Sequence, residues 1–244
     1  MSTLVKFITA TILALLLTSC NLDFSLGPSI SGDGNVVTET RDVQSDFVNL
    51  KVSRGIDVVL TQSDETSLTV VADQNLHDVI TTEFDEDNNT LRISTNENIR
   101  TAASKKVILN VKDLYSISTT SGSTIRVENT FETDQLVVSS TSGSQIDIAV
   151  ETNTLKLNST SGAGITASGN TNKLSVASTS GSYVAAENLK AESTSAAATS
   201  GANIKVNTSK ALTASATSGG SVRYSGNPEN VSKSDGVSGS IRAN

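Results

Sequence analysis

The stretch Leu136-Val-Val-Ser-Ser-Thr-Ser-Gly-Ser-Gln-Ile-Asp-Ile148 returns as Leu155-Lys-Leu-Asn-Ser-Thr-Ser-Gly-Ala-Gly-Ile165 and again as Leu174-Ser-Val-Ala-Ser-Thr-Ser-Gly-Ser-Tyr-Val184. The Ser of each Ser-Gly pair marks the period: Ser121, Ser142, Ser161, Ser180, Ser200, Ser218 and Ser238, at intervals of 18 to 21 residues. A repeat of this length without helical periodicity is the signature of a solenoid. Six residues before the mark stand Tyr115, Leu136, Leu155, Leu174, Thr194 and Leu212. Four after it stand Ile125, Ile146, Ile165, Val184, Ile204 and Val222. Even offsets are mostly apolar or small, and odd offsets mostly polar. In a strand, alternate side chains leave opposite faces, so the even positions are expected inside.

Each coil is therefore expected to supply short strands that turn at Ser-Gly, where Gly reaches positive φ without steric cost. Coils stacked about 4.8 Å apart would build a rod of roughly 30 Å. Two positions before the mark the residues are small: Thr119, Ser140, Ser159, Ser178, Ala198 and Ala216. They fit a narrow corner in which hydroxyls bond along the stack. The expected fold is all-β: a right-handed single-stranded parallel β-helix with a less regular, strand-rich N-terminal portion. The handedness comes from the general preference of parallel crossovers. The reading requires Ile146, Ile165 and Val184 to be buried.

Composition agrees with a thin solenoid. Aromatic residues make up 3% of the 244, and a solenoid core is built of aliphatic columns in which each coil touches its neighbours. The abundance of Gly, Ser and Thr would also suit a linker, but linkers carry no alternating apolar column. The formal charge of −7, with no basic stripe, argues against nucleic acid as a partner.

Residues 1–19 read as an export signal, with Lys6 followed by an apolar run from Phe7 to Leu17. That run is short for a membrane span. It ends in Leu17-Thr18-Ser19-Cys20, which resembles a bacterial lipobox. Cys20, the only cysteine, is the expected site of lipid attachment. Acyl chains there contribute about 0.8 kcal/mol per buried carbon, so several chains anchor firmly. Residues 20–35 are then the lipidated Cys and a tether, and 36–244 the domain, with 36–113 irregular and 114–244 regular. Strands are expected in the irregular part at 36–40, 47–52, 56–61, 67–72, 79–84, 90–94 and 106–111, forming opening coils and a cap.

Several stretches resemble one family: Val36-Val-Thr-Glu-Thr-Arg-Asp42, Phe47 with Val52, Gly55-Ile-Asp-Val-Val-Leu-Thr-Gln62, the Ser-Gly turns, Tyr224-Ser-Gly-Asn-Pro228 and Val237-Ser-Gly-Ser-Ile241. Together, over about residues 35–244, they resemble the head GIN domain family of autotransporter-type adhesins from Gram-negative envelopes. The resemblance implies a β-helix and an adhesin-like role, with no active site. Relatives usually carry Ser-Gly-Ser-Gly-Asp at the turn. Here the turn reads Ser-Thr-Ser-Gly-Ser, so no role for turn acids carries over.

Little in the sequence points to catalysis, which needs convergent titratable groups. The single His, His77, is expected in a solvent-facing loop. A His/Cys metal cluster is excluded by the counts, and Gly-x-Ser-x-Gly is absent. Paired acids suffice for glycoside hydrolysis, but Asp64-Glu65 and Asp85-Glu86-Asp87 sit in expected turns. Asp85–Asn89 lacks the spaced ligands of a calcium loop. The outward Thr column suits ice only with a second regular column, and its neighbour breaks up; Thr also simply favours strands. No catalytic residue, cofactor or metal is expected. The leading reading is a lipid-anchored envelope protein, in the outer membrane, whose hydroxyl-rich surface contacts carbohydrate or another cell-surface protein. The alternatives are a β-helical polysaccharide lyase or hydrolase and a purely structural envelope component.

Overall fold

The computed structural model describes residues 29–44 and 46–244. Ten short strands come first: β1 (Ser29–Ser31), β2 (Val36–Arg41), β3 (Asn49–Val52), β4 (Asp57–Gln62), β5 (Ser67–Asp73), β6 (Ile80–Asp85), β7 (Thr90–Thr95), β8 (Asn98–Thr101), β9 (Lys105–Val111) and β10 (Ser116–Thr119). Five long ones follow: β11 (Thr124–Thr141), β12 (Gln145–Thr160), β13 (Gly164–Thr179), β14 (Tyr183–Thr199) and β15 (Asn203–Ala216). The last are β16 (Ser221–Ser225), β17 (Asn230–Asp235) and β18 (Ser240–Ala243). The result is a nearly all-β solenoid of about seven turns. All seven strands expected in the irregular part are present. β1 and β8, which pair with each other, escaped the sequence pattern.

Each long strand is a whole coil, where short strands were expected. β11 to β15 pair in parallel and in register, so Ile125, Ile146, Ile165, Val184 and Ile204 stand in one line. Ile146, Ile165 and Val184 are all buried. The inward positions are Ile146, Ile148 and Val150, then Leu155, Leu157 and Ser159. The parity flips between Thr152 and Leu155, and that slip is the second corner of the coil. It turns the chain without breaking the strand.

The Ser-Gly corner does break it. The marking Ser residues have φ of 51–58°, and Gly122, Gly143, Gly162, Gly181, Gly201 and Gly219 have φ of 69–77°. Two successive left-handed residues, closed by the Ser144 N–H donating to the Thr141 carbonyl at 3.3 Å, make a type I′ turn. Gly supplies the second position freely; the Ser bears the steric cost of the first. The corners also bond to each other: Gly143 N–H donates to Ser161 O, and Gly162 N–H to Ser180 O, both at 3.1 Å.

An eighth corner was not legible as such. Arg54 (φ 60°) and Gly55 (φ 73°) join β3 to β4, and these strands pair with β10 and β11 of the next coil. The chain between them folds beneath: β7 pairs in parallel with β3, and β9 with β4. Antiparallel β6 then closes β7, β5 closes β9, and β2 closes β5. This is the cap expected for the exposed edge of a parallel stack.

Three details differ from expectation, and one polar residue keeps its expected inward place. Tyr115 is 52% exposed, and Leu114 fills the core beside it, its N–H held by the Asp113 carboxylate at 2.8 Å. Thr194 takes a buried Leu position and shares a 2.5 Å hydrogen bond with Thr208, which satisfies both hydroxyls. His77 is buried, at 8% exposure, instead of facing solvent. Its Nε2 lies 3.2 Å from the Ala72 carbonyl and 3.3 Å from that of Val37, and its Nδ1 lies 3.3 Å from Glu39. Arg41 completes the cluster, donating to the His77 and Ile80 carbonyls and to Glu39; its guanidinium holds the Glu39 carboxyl below its usual range. The lone His thus pins edge strand β2 to the cap. The end of the expected tether is also attached: Gly34 N–H donates to the buried Asp73 carboxylate at 2.9 Å.

Candidate binding face

The strand segments before each Ser-Gly corner form one flank of the rod. It runs from β7 through β3 and β10, then along the ends of β11 to β15. Its inward residues are the aliphatic and small columns. Its outward residues are short and hydroxyl-rich: Ser118, Ser139, Asn158, Ala177, Ala197 and Ser215 in one column, and Thr120, Thr141, Thr160, Thr179, Thr199 and Thr217 beside it.

Short outward side chains leave room between them, and three hollows open on this flank. The first, about 420 Å³, lies at the capped end between Lys51, Arg54, Arg92 and Asn96. The second, about 460 Å³, runs from Lys51 over Ser118 and Ser139 to Asn158 and Thr160. The third, about 350 Å³, continues from Asn158 and Thr160 to Ala197 and Thr199. Lys51 belongs to the first two, and Asn158 and Thr160 to the last two, so they form one trough along the axis. Volumes of this size suit a small ligand or a stretch of polymer.

The flank also differs in charge from the rest of the chain. From β3 to β15 its outward positions carry Lys51 and Lys156 and no acid, although the formal charge of the chain is −7. Acids gather on the cap, on the flank after the Ser-Gly corner and at the second corner.

A wider groove of about 710 Å³ follows the second corner, lined by Glu151, Asn153, Asn170, Asn172, Lys190 and Glu192 among others. Several of its polar groups already bond one another. Asn170 donates to Glu151, Asn172 to Asn153 at 2.9 Å, Thr152 to the Asp134 carbonyl at 3.0 Å, and Lys210 pairs with Glu192 at 2.8 Å. Such ladders bind one coil to the next. In the trough, Lys51 has no carboxylate partner among the described residues, and no acid stands beside it on β3 or β10.

Cys20 lies outside the described residues. The turn acids do not converge on a reactive centre: Asp85 accepts hydrogen bonds from Asn88 and Arg92, and the Arg92 bond above all holds its carboxyl below the usual aspartate range. Among the described residues no three His, Cys, Asp or Glu side chains gather as a metal site, and no helix is long and apolar enough to cross a membrane. His77 and the first corner were the features sequence reasoning missed. The Arg-Gly pair at 54–55 was the available signal for the corner, hidden because Arg replaces the repeated Ser.

Comparison with known proteins places these features in context. Residues 46–228 match the family described as "Putative auto-transporter adhesin, head GIN domain". A crystal structure from Bacteroides fragilis, described as a "putative adhesin", superposes with a TM-score of 0.80 at 22% identity, covering 88% of this chain and all of the other. A second such adhesin, from Parabacteroides merdae, gives 0.73 at 16% identity over 89% of this chain and all of its own. A "putative lipid binding protein" from Parabacteroides distasonis gives 0.68 at 20%, again over 89% and its full length. These likenesses establish the shared fold. The comparison with curated proteins gives no match.

Proposed function

The chain belongs to this head GIN domain family, and on that premise we propose that it is a noncatalytic, adhesin-like binding module of the cell surface. The hydroxyl-lined trough, whose outward positions carry no acid from β3 to β15, carries the reading. It presents repeated donors and acceptors at the coil spacing of about 4.8 Å, which suits an extended, hydroxyl-rich polymer such as a polysaccharide. The adhesin descriptions of the family and of its structural neighbours support the same role.

The module is held at the envelope by lipid on Cys20, after removal of residues 1–19, and stands on the tether that enters the domain before residue 36. The outer membrane is the proposed location. Labelled palmitate will be incorporated by the wild-type chain and not by Cys20→Ala; equal labelling refutes the anchor.

A glycan array combined with a reducing-end assay tests the function. Binding without new reducing ends supports the module. Turnover would establish an enzyme instead, and the absence of both would leave a structural envelope component.

A further inference from the structure

We propose that the capped end of the trough is a subsite for an anionic group, and that the polymer it selects is an acidic polysaccharide. The proposal rests on the reading of the flank as a glycan-binding face and adds what that face discriminates.

Two residues carry it. Arg54 occupies the left-handed position that Ser fills at all seven later corners. An Arg gains nothing over Ser in that backbone conformation, but it sends a guanidinium over the hollow. One of its N–H groups, at Nη1, donates to the Thr95 carbonyl at 2.7 Å, which orients the group without neutralising it. An Arg has five donors, so most stay free to face an anion in the forked geometry that carboxylate and sulfate accept. Lys51, exposed on β3, lines the same hollow. Neither residue pairs with a carboxylate among the described residues. The third cation, Arg92, is held by Asp85 and is not counted. Glu83 is the one acid at the rim.

The rest of the hollow suits a sugar better than an ion alone. Ser53 and Ser94 share a 2.8 Å hydrogen bond on its floor, and Asn96 adds an amide at the edge. The hollow opens through Lys51 into the hydroxyl-lined trough, so a chain whose acidic unit sits here continues along the flank. Lys156, exposed on β12 three strands further on, is the next cation on this flank, beside the hollows. An anionic lipid surface fits less well: none of the exposed large hydrophobic residues lines the trough, so nothing there enters a bilayer.

The test compares polygalacturonate oligomers with their methyl esters, the same chain with its charge removed, against the full protein in mild detergent. The acid form is expected to bind more tightly, with an affinity that falls as salt rises. Lys51→Ala and Arg54→Ser are each expected to weaken it about tenfold, the scale of one charge-assisted hydrogen bond, and the double variant to erase the preference. Arg54→Ser gives the corner its usual residue and loses only the bond to the Thr95 carbonyl, so a cooperative melt close to that of the wild type is expected and serves as the folding control. A third variant, Ala177→Glu, places an acid further along the trough. If acid and ester bind alike and only Ala177→Glu weakens both, the anionic subsite is wrong and the glycan-binding face survives. If neither polymer binds and Ala177→Glu leaves the glycan array unchanged, both readings fall. If phosphatidylglycerol vesicles bind through Lys51 and Arg54 while polygalacturonate does not, the occupant is lipid and the proposal is overturned.

Discussion

The hydroxyl of Ser182 lies 2.8 Å from the carbonyl oxygen of Ser159, one coil earlier, inside the Ser-Gly corner. It also lies 2.7 Å from the Thr179 carbonyl, 2.8 Å from the Ser178 hydroxyl and 3.1 Å from the Thr179 N–H, which donates to it. With one proton it serves one carbonyl at a time, yet it joins two coils at a point no apolar side chain could serve. Ser144 repeats the arrangement on Thr119 and Thr141. Ala163 and Ala202 occupy the same place in other coils and are buried.

Those Ala residues make the contribution measurable. Ser182→Ala removes the bonds without a steric penalty, and the expected loss is about 1 kcal/mol, the usual net value of an internal hydrogen bond. Ala163→Ser adds the missing link toward the Ser140 carbonyl and is expected to raise stability by up to about 1 kcal/mol. Urea melts of the two variants check both signs. Equal midpoints for all three chains would show that the corner hydroxyls contribute nothing net.

Asp73 gives the acid dependence. It is fully buried and accepts N–H groups from Ser104 at 2.8 Å, Gly34 at 2.9 Å and Ala103 at 3.2 Å. Those bonds, Ser104 first, hold its carboxyl below the usual aspartate range. A depressed carboxyl contributes stability that is present above its unfolded value and is lost as pH falls through the folded one. The attachment of residues 32–35 to the β8–β9 loop is therefore expected to persist at neutral pH and to loosen under acid. Hydrogen exchange at Gly34 and Ser104 across an acid titration reads this directly. In Asp73→Asn both amides are expected to exchange faster at neutral pH, with the acid step removed. An acid step that survives in Asp73→Asn would assign it to another group.

Tyr183 lies over Gly164, so close that a Cβ at Gly164 would meet its ring carbon at 2.3 Å. The aromatic ring covers a backbone that no side chain of its own protects, a known way to restore a glycine in a sheet. Tyr183→Ala is expected to cost about 1 kcal/mol, within the range of cross-strand aromatic pairs. Gly164→Ala is expected to lift the ring. The chain has three Tyr and no Trp, so tyrosine fluorescence reports that displacement. An unchanged spectrum would mean the ring does not rest there.

The repeat was legible because its physics is one-dimensional: each coil asks the same of the same offset, and the Ile146, Ile165 and Val184 positions answer alike. The cap was legible as strands and not as pairings, since the partners of β2, β5 and β9 are chosen by topology that no periodicity encodes. His77 was misplaced for a related reason. A polar side chain after a short turn reads as exposed, and only folding brings Val37, Glu39 and Ala72 around it. The binding face was half legible. Its hydroxyl columns follow from the alternation, but its cationic end needed Arg54 and Lys51 to be brought beside β7 by a corner written without Ser.

The final coil makes the last prediction. Its inward positions, continuing Leu212, Ala214 and Ala216, hold Val231, Lys233 and Asp235, and all three are exposed. The Lys233 ammonium sits 4.8 Å from the Tyr224 ring centroid, a favourable cation–π contact. Charges aimed inward at the edge of a parallel stack oppose addition of another strand, because a strand added there must bury them. Replacing both, Lys233→Val with Asp235→Ala, extends the apolar column to the outermost rung and leaves the backbone edge unguarded. The double variant is expected to associate end to end at concentrations where the wild type does not, which sedimentation velocity will detect. Wild-type behaviour in the variant would show that the edge is protected by something other than these charges.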